Sequence, residues 1–469
     1  MTDSTCYLME SVLLPRGWDS DIIVEVGADG MIRSVGGHQQ TPGDHQTLSG
    51  AVIPGIPNCH SHAHQRAMSG LGERASIDRE SGQKATDSFW TWRVAMYHFL
   101  GRMQPHHLYA ISRQLYLEML KSGYTNIAEF QYLHHDPRGN RYDNPAEMTL
   151  QCMQSAMDVG IGFTALPVLY RYGGFGGQDP IDGQKRFLND ADSFCELVNQ
   201  LFQASSETAN GMSSVGIAPH SLRAVTDSLL SEVISELGVD NLAAIHIHVA
   251  EQNKEVDDCM AWSGQRPVEW MMNYFDVNEK WCAIHATHMT SRETISLARS
   301  GAIAGLCPTT EANLGDGFFN LNEYIANNGR WAIGSDSHIS ISPVEELRWL
   351  EYGRRLVDRQ RNIMASSSSP STGTVLLDQS LHGGQISSGL DIGKIEVGYR
   401  ADFVVLDSDH PRLYGRKEEQ LIDSWIFSGN ENIVQDVYVG GIRVIQDGHH
   451  PDEEDIEASY RNTLDELNA

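Results

Sequence analysis

The sequence of 469 residues has little cysteine, no long apolar run and few basic residues for its acidic content. Its seven cysteines are scattered and odd in number, which argues against a disulfide framework and suits a reducing cytosol. No uninterrupted apolar run approaches the roughly 18 residues that a membrane-spanning helix requires. The first residues, MTDSTCYLMESVLLP, lack the basic segment and apolar stretch of a signal peptide. These absences predict a soluble, cytoplasmic protein.

The charge balance limits the choice of partner. The chain carries 34 basic and 62 acidic residues, a formal net charge of −28. Such a surface repels nucleic acid and anionic membranes, so we expect neither as a partner. A small anionic substrate would need arginines in its binding site to overcome the negative electrostatic potential of the whole protein.

Apolar, β-branched runs recur along the chain and alternate with segments of helical spacing, such as 107–123 and 292–301. Eight strands alternating with helices predict an α/β protein with a (β/α)8 TIM-like barrel. The predicted strands are 51–62, 125–130, 161–170, 214–221, 243–251, 282–288, 303–310 and 331–338.

The two chain ends differ from this pattern and show short alternating strands with Gly-centred hairpin signals. We predict that residues 1–52 and 389–469 form one small β-sandwich domain and that residues 53–388 form the barrel. The stretch GGFGGQDP (173–180) follows the third barrel strand and is interpreted either as a mobile lid or as an ordinary long loop.

Histidines stand at every second position in NCHSHAHQRA (58–67), directly after an apolar run. Further polar residues end other predicted strands, at the barrel rim where active sites are built. Imidazoles with a carboxylate suit zinc or a similar divalent ion with a position open for water. The alternative for any single histidine is a buried, hydrogen-bonded side chain. The strand-end residues are His60, His62, His220, His248, Glu251, His285 and Asp336, whereas His106, His107, His134, His135, His449 and His450 show no such pattern.

The segments PGIPNCHSH, HIHVAE, HATH and GSDSH, in this order, resemble the amidohydrolase superfamily and in particular its mononuclear deaminase branch. The segment GLDIGKIEVGYRADFVVLDSD (389–409) resembles the return of that family into its small β-domain, so the resemblance spans nearly the whole chain. It implies a homodimer and one divalent metal ion, with Zn²⁺ expected and iron or manganese left open. The metal ligands implied are His60, His62, His248 and Asp336.

Two neighbouring histidines are expected not to bind the metal. His64 lies past the strand end and is interpreted as a packing or pocket-wall residue. His246 shares the strand alternation of His248 but is expected one layer deeper in the barrel. No lysine ends a middle strand, where a bridge between two metal ions would need one, so a single ion is expected.

The chemistry implied is hydrolysis at a C=N or C=O carbon with loss of an amine or ammonia. A bound divalent ion activates water at neutral pH. Glu251 would take its proton and deliver it to the leaving nitrogen. His285 would orient the attacked group, and Asp336 would share in the proton transfer.

Pocket motifs narrow the resemblance to the branch that deiminates N-formimidoyl-L-glutamate, giving N-formyl-L-glutamate and ammonia. By that resemblance Gln65, Tyr132 and Arg223 hold the α-carboxylate. Arg93 reaches the side-chain carboxylate, and His220 lies beside the formimidoyl group. The motifs are HSHAHQRAM, SFWTWRVAMY, AEFQYLHH, APHSLRAV and GLCPTTEANLGDG.

The residue chemistry agrees with a dicarboxylate, which requires two separated cationic anchors. Arg93 lies in an aromatic segment with Phe89, Trp90, Trp92 and Tyr97, which would strengthen an ion contact by lowering the local dielectric. The alternative is that both arginines pair with nearby acids of the protein. Two rival functions also stay open: a deaminase of a heterocyclic base or nucleoside, and a metal-free scaffold protein.

Overall fold

The computed structural model describes residues 4–37, 44–73, 93, 96, 97, 99–208 and 211–469. Phe89, Trp90 and Trp92 of the predicted aromatic segment lie outside these residues. Within the described part of the chain, no helix is long and apolar enough to cross a membrane.

Sixteen strands run through the described residues, and their burial decides where each belongs. Most barrel strands are buried along nearly their whole length, whereas most strands of the chain ends include partly or fully exposed residues. The strands are β1 Thr5–Leu14, β2 Gly17–Val26, β3 Ile32–Gly37, β4 Gln46–Pro54, β5 Ile56–Ser61, β6 Tyr124–Gln131, β7 Gly162–Leu169, β8 Ser213–Val215, β9 Ala218–Pro219, β10 Ile245–Val249, β11 Trp281–His285, β12 Ile303–Leu306, β13 Arg330–Ile333, β14 Phe403–Leu406, β15 Val434–Val439 and β16 Ile442–Ile445.

Helices connect these strands and match the predicted helical segments closely. The first begins at Pro105, where a missing N–H costs nothing, and is followed by Gly123 in the left-handed conformation at φ 102°. The helices are α1 Pro105–Ser122, α2 Glu147–Val159, α3 Ala191–Ser206, α4 Asp227–Leu237, α5 Asn253–Ser263, α6 Pro267–Tyr274, α7 Ser291–Ser300, α8 Pro308–Leu314, α9 Leu321–Ala326, α10 Pro343–Asp358, α11 Thr372–Ser388, α12 Glu419–Phe427 and α13 Glu453–Asn468.

The barrel closes through two sets of parallel strands. One set runs β5-β6-β7-β8, with β9 continuing the line of β8, and the other runs β10-β11-β12-β13. Single bridges between Ile217 and Ile245 and between Ser61 and Asp336 join the two sets into a ring. The predicted (β/α)8 barrel is therefore confirmed.

The predicted strand 51–62 is wrong in one respect, because it is two strands. Strand β4 pairs with β1 and β14 at the chain ends, whereas β5 enters the barrel beside β6. Gly55 separates them, and a Cβ there would lie 2.3 Å from Thr125 Oγ1. The apolar run AVIPGIP (51–57) continues across Gly55, so the hydrophobic pattern alone does not reveal this break.

The two chain ends build a seven-stranded sheet in the order β16-β15-β14-β4-β1-β2-β3. A buried ion pair links this sheet to the barrel. The Arg400 guanidinium lies 2.7 Å from the Asp402 carboxylate and also donates to the Thr125 carbonyl on β6. The sheet and the barrel are thereby held together next to the start of β5.

Three strand ends of the barrel have unusual backbone geometry. Ala250, His285 and Asp336 have φ of 53°, 66° and 47°, a left-handed backbone conformation that residues other than glycine rarely adopt. Such residues persist only where the surroundings hold them, and they are frequent at functional sites. All three lie at the barrel rim where the predicted site residues are found.

Candidate metal centre and active site

The ring orientation of two histidines is fixed by backbone carbonyls. His62 Nδ1–H donates to the Phe130 carbonyl at 2.9 Å, and His248 Nδ1–H donates to the His220 carbonyl at 3.0 Å. Because a carbonyl oxygen only accepts, each proton must be on Nδ1. The Nε2 lone pairs are therefore available to bind a metal ion.

Four predicted ligands converge on one point. His248 Nε2 lies 3.1 Å from His60 Nε2, and Asp336 Oδ1 lies 3.6 Å from His60 Nε2 and 3.4 Å from His62 Nε2. Tetrahedral zinc with bonds of about 2.0–2.1 Å separates neighbouring ligand atoms by about 3.3 Å. The spacing and the donor atoms thus fit a metal ion bound by three imidazoles and one carboxylate. Among the described residues, His60 forms one metal-capable group with His62 and His248 and a second with His285 and Asp336.

The electrostatics also favour a bound cation. Burial lowers the pKa of His62 to about 3, and burial together with neighbouring histidines lowers the pKa of His60 and of His248. These imidazoles are therefore neutral, the form that binds metal. Burial raises the pKa of Asp336 to about 6, with His285 opposing this rise.

Beside this cluster lies a second group of predicted residues. His285 Nε2 is 3.8 Å from Glu251 Oε1 and 3.7 Å from Asp336 Oδ2. On the other side of the ring, His285 Nδ1 lies 3.2 Å from Glu311 Oε1. Glu311 thus orients the imidazole, so that Nε2 faces the Glu251 and Asp336 carboxylates.

Charges in this group are strongly coupled. Burial alone would lower the pKa of His285, but the carboxylates of Glu251, Glu311 and Asp336 raise it to about 10. Burial raises the pKa of Glu251, while His285 and Arg223 act in the opposite direction. A buried carboxyl group with a raised pKa beside an imidazole is suited to moving a proton.

A single pocket joins the metal-ligand cluster to every predicted substrate-binding residue. Its wall includes His62, His248, Glu251, His285 and Asp336. The predicted substrate-binding residues in the same wall are Gln65, Arg93, Tyr132, His220 and Arg223.

The two arginines of the pocket have different surroundings. The guanidinium carbon of Arg93 lies 5.7 Å from the centre of the Tyr97 ring. Arg223 is buried, and although burial lowers its pKa, the nearby Glu255 and Glu251 raise it overall. A carboxylate partner within the protein, the alternative considered for Arg223, is therefore part of its environment.

Two histidines near the ligands have other contacts. His64 Nε2 lies 2.7 Å from the Tyr132 hydroxyl, and both side chains are buried. His246 Nε2–H donates to the Ser387 carbonyl at 2.8 Å. Neither belongs to the ligand groups formed around His60.

Some pocket residues did not follow from the sequence patterns. Thr310 and Ser337 lie in the motifs GLCPTTEANLGDG and GSDSH, so their positions within these motifs could have indicated them. Phe187 comes from the segment between β7 and α3, where no pattern pointed to the site. Phe187 reaches the pocket because of how the loops pack over the barrel, and local sequence patterns do not encode this packing.

Comparison with known proteins identifies the family. The model of the amidohydrolase family matches residues 51–444, so the chain belongs to this family. Formimidoylglutamate deiminase of Pseudomonas aeruginosa is 47% identical over 98% of each chain. A 5-methylthioadenosine/S-adenosylhomocysteine deaminase of Bacillus cereus is 23% identical, over 85% of this chain and 82% of that protein.

Solved structures agree with the fold. The crystal structure of an amidohydrolase from Brucella melitensis has a TM-score of 0.90 and 42% identity, covering 99% of this chain and 100% of that chain. The crystal structure of an adenosine deaminase from Xanthomonas campestris with bound zinc has a TM-score of 0.79 and 19% identity, covering 99% of this chain and 98% of that chain. The second likeness concerns the fold alone.

Proposed function

We propose that this protein is a metal-dependent deiminase that hydrolyses N-formimidoyl-L-glutamate to N-formyl-L-glutamate and ammonia, a reaction of histidine degradation. We base this on the observation that two guanidinium groups and the imidazole–carboxylate cluster line the same pocket. The 47% identical deiminase, matched over nearly the whole of both chains, supports the same substrate.

One zinc ion is proposed in the cluster, with His60, His62, His248 and Asp336 as its ligands. When bound, such an ion supplies a nucleophilic water at neutral pH. A single ion is supported because the Nε2 atoms and Asp336 Oδ1 converge on one point, and because no lysine is among the described residues that line the pocket.

The two carboxylates of the substrate are proposed to bind at opposite ends of the pocket. Arg223, with Gln65 and Tyr132, would hold the α-carboxylate, and Arg93 would hold the side-chain carboxylate. Gln65 Nε2 already lies 3.4 Å from the Tyr132 hydroxyl, so these two groups form one polar wall. Guanidinium groups favour carboxylates because both bonds of a bidentate contact are charge-assisted.

Proton transfer is assigned to Glu251, His285 and Asp336. Glu251 takes the proton of the attacking water and passes it to the departing nitrogen. Glu311 contacts His285 through Nδ1 and so orients the ring. His285 would then use Nε2 to orient the group that is attacked. His220, whose carbonyl holds His248, lines the pocket at the proposed position of the formimidoyl group.

A substrate comparison tests this proposal against the rival deaminase. Zinc-loaded protein should release ammonia from N-formimidoyl-L-glutamate and not from adenosine, guanine or S-adenosylhomocysteine. A preference for a heterocyclic amine would discard the dicarboxylate substrate. Well-folded protein that binds no zinc would instead favour the scaffold.

A cytoplasmic location and a homodimer complete the proposal. All seven cysteines are unpaired and six are buried, which supports a reducing compartment. The homodimer is proposed from family membership alone. Light scattering on the purified protein measures it directly, and a mass of one chain would contradict it.

A further inference from the structure

The backbone at Glu251, the proposed acid/base residue, is hydrogen-bonded by the carboxylate of Glu255. Glu255 Oε1 accepts the N–H of Ala250 at 3.1 Å, and Glu255 Oε2 accepts the N–H of Glu251 at 3.2 Å. The side chain is fully buried. One carboxylate thus satisfies two consecutive backbone donors that would otherwise be unpaired inside the protein.

These two donors flank a strained position. Ala250 has φ of 53°, a conformation that an L-residue adopts only when its surroundings impose it. This turn leads the backbone from the end of β10 through Glu251 to the start of α5. Glu255 lies in the first turn of α5, where the helix end also favours a negative charge.

A buried cation lies near this carboxylate. Arg223 is buried, and the nearby Glu255 contributes most to raising its pKa against the effect of burial. Conversely, Arg223 opposes the rise in the pKa of Glu255 that burial causes. The cation helps to keep Glu255 in the form whose two oxygens both accept.

We propose that Glu255 is a positioning residue, which holds the Ala250–Glu251 backbone so that the Glu251 carboxylate stays in place for proton transfer. This inference rests on the proposed function for its kinetic part, while its structural part does not. Glutamine is the informative replacement, because its amide offers one acceptor oxygen for two N–H groups.

The test compares Glu255→Gln with Asp257→Asn, an exposed residue of the same helix that loses the same charge. We expect Glu255→Gln to lower kcat for N-formimidoyl-L-glutamate about 100-fold with KM changed less than about threefold, the signature of a displaced catalytic group. Asp257→Asn should match the unmodified protein. Glu255→Asp keeps both acceptor oxygens on a shorter arm, so its loss should be intermediate.

A second comparison separates positioning from general damage. In a Glu251→Gln background, adding Glu255→Gln should change the residual rate less than about threefold, because there is no longer a carboxylate to position. An equal loss in both backgrounds, or a kcat within about threefold of the unmodified protein, would overturn the inference.

Hydrogen exchange measures the positioning role without any substrate. In zinc-loaded protein, a peptide spanning residues 245–252 should exchange faster in Glu255→Gln than in Asp257→Asn, by at least about tenfold at one of the Ala250 and Glu251 amides, since the glutamine oxygen can accept only one of these two N–H groups. If the unmodified protein does not turn over the substrate, the proposed function fails and this measurement still decides the role of Glu255. Equal exchange would remove that role.

Discussion

Two clusters of histidine and carboxylate in this protein have similar residue types and different surroundings. The barrel cluster of His60, His62, His248 and Asp336 is buried, whereas the cluster of His106, His107 and Glu466 joins the start of helix α1 to the end of helix α13 at the surface. The His106 and Glu466 side chains are 66% and 61% exposed.

The difference lies in which ring nitrogens remain available. His107 Nδ1 accepts the N–H of Gln104 at 3.1 Å, and its Nε2–H donates to Glu466 at 2.9 Å. Both nitrogens of His107 are therefore used. In His62 and His248 only Nδ1 is used, so that Nε2 stays available at the point where the ligands converge.

Burial alone does not define the site either. His134 is as buried as the ligands, and its Nε2–H donates to the Val168 carbonyl at 2.8 Å. It belongs to none of the metal-capable groups found among the described residues. Together the three cases teach that Nε2 atoms converging on one point distinguish the candidate ligands from the other histidines, and for His62 and His248 a backbone carbonyl fixes that orientation.

The largest expected effect is on metal binding. His62→Ala removes one converging nitrogen, so bound zinc should fall from about one ion per chain to well below it. Ammonia release should fall at least about a thousandfold, because the ion supplies the nucleophilic water. Elemental analysis and initial rates on the same samples measure both quantities.

The matched control for that experiment is His106→Ala at the surface cluster. It should retain the zinc content and activity of the unmodified protein. Loss of the ion from His106→Ala, with retention in His62→Ala, would reverse the comparison between the two clusters.

A smaller effect concerns the two arginines that line the pocket of the barrel cluster. Arg93→Met and Arg223→Met should each raise KM about 10- to 100-fold, since a charge-assisted bond to a carboxylate contributes about 1.5–3 kcal/mol. Zinc content should stay unchanged. Steady-state kinetics measure the effect, and an unchanged kcat/KM in both variants would contradict a dicarboxylate substrate.

The smallest effect concerns His134, a buried histidine outside the metal-capable groups of the described residues. Burial lowers the pKa of His134 to about 3, so between that value and the usual value near 6.5 the unfolded chain binds more protons. The free energy of unfolding therefore falls as the pH falls through this window.

His134→Gln removes this contribution. The slope of the unfolding free energy against pH should be less steep by up to about 1.4 kcal/mol per pH unit. Denaturant titrations at pH 4.5, 5.5 and 6.5 measure the two slopes. Identical slopes would mean that the pKa of His134 is the same in the folded and the unfolded chain, which would contradict the lowering by burial.

The barrel could be predicted from the sequence because each strand is a buried, β-branched run, and the site because most of its residues end such a strand. The break between β4 and β5 at Gly55 could not be predicted, since the apolar run AVIPGIP (51–57) continues across it. Glu255 and Glu311 were also missed. Their partners, the Ala250 N–H and the His285 ring, are set by backbone turns that no periodic pattern encodes.

In the proposed function, residues at the rim of this barrel hydrolyse an amidine dicarboxylate, with Glu251 as the acid and base. The most direct test is ammonia release from N-formimidoyl-L-glutamate by zinc-loaded protein, with Glu251→Gln at equal zinc content beside it. We predict turnover that falls about a thousandfold in the variant, within the usual range for loss of a general acid–base group. No release by the zinc-loaded protein, or equal release by both proteins, would contradict the claim.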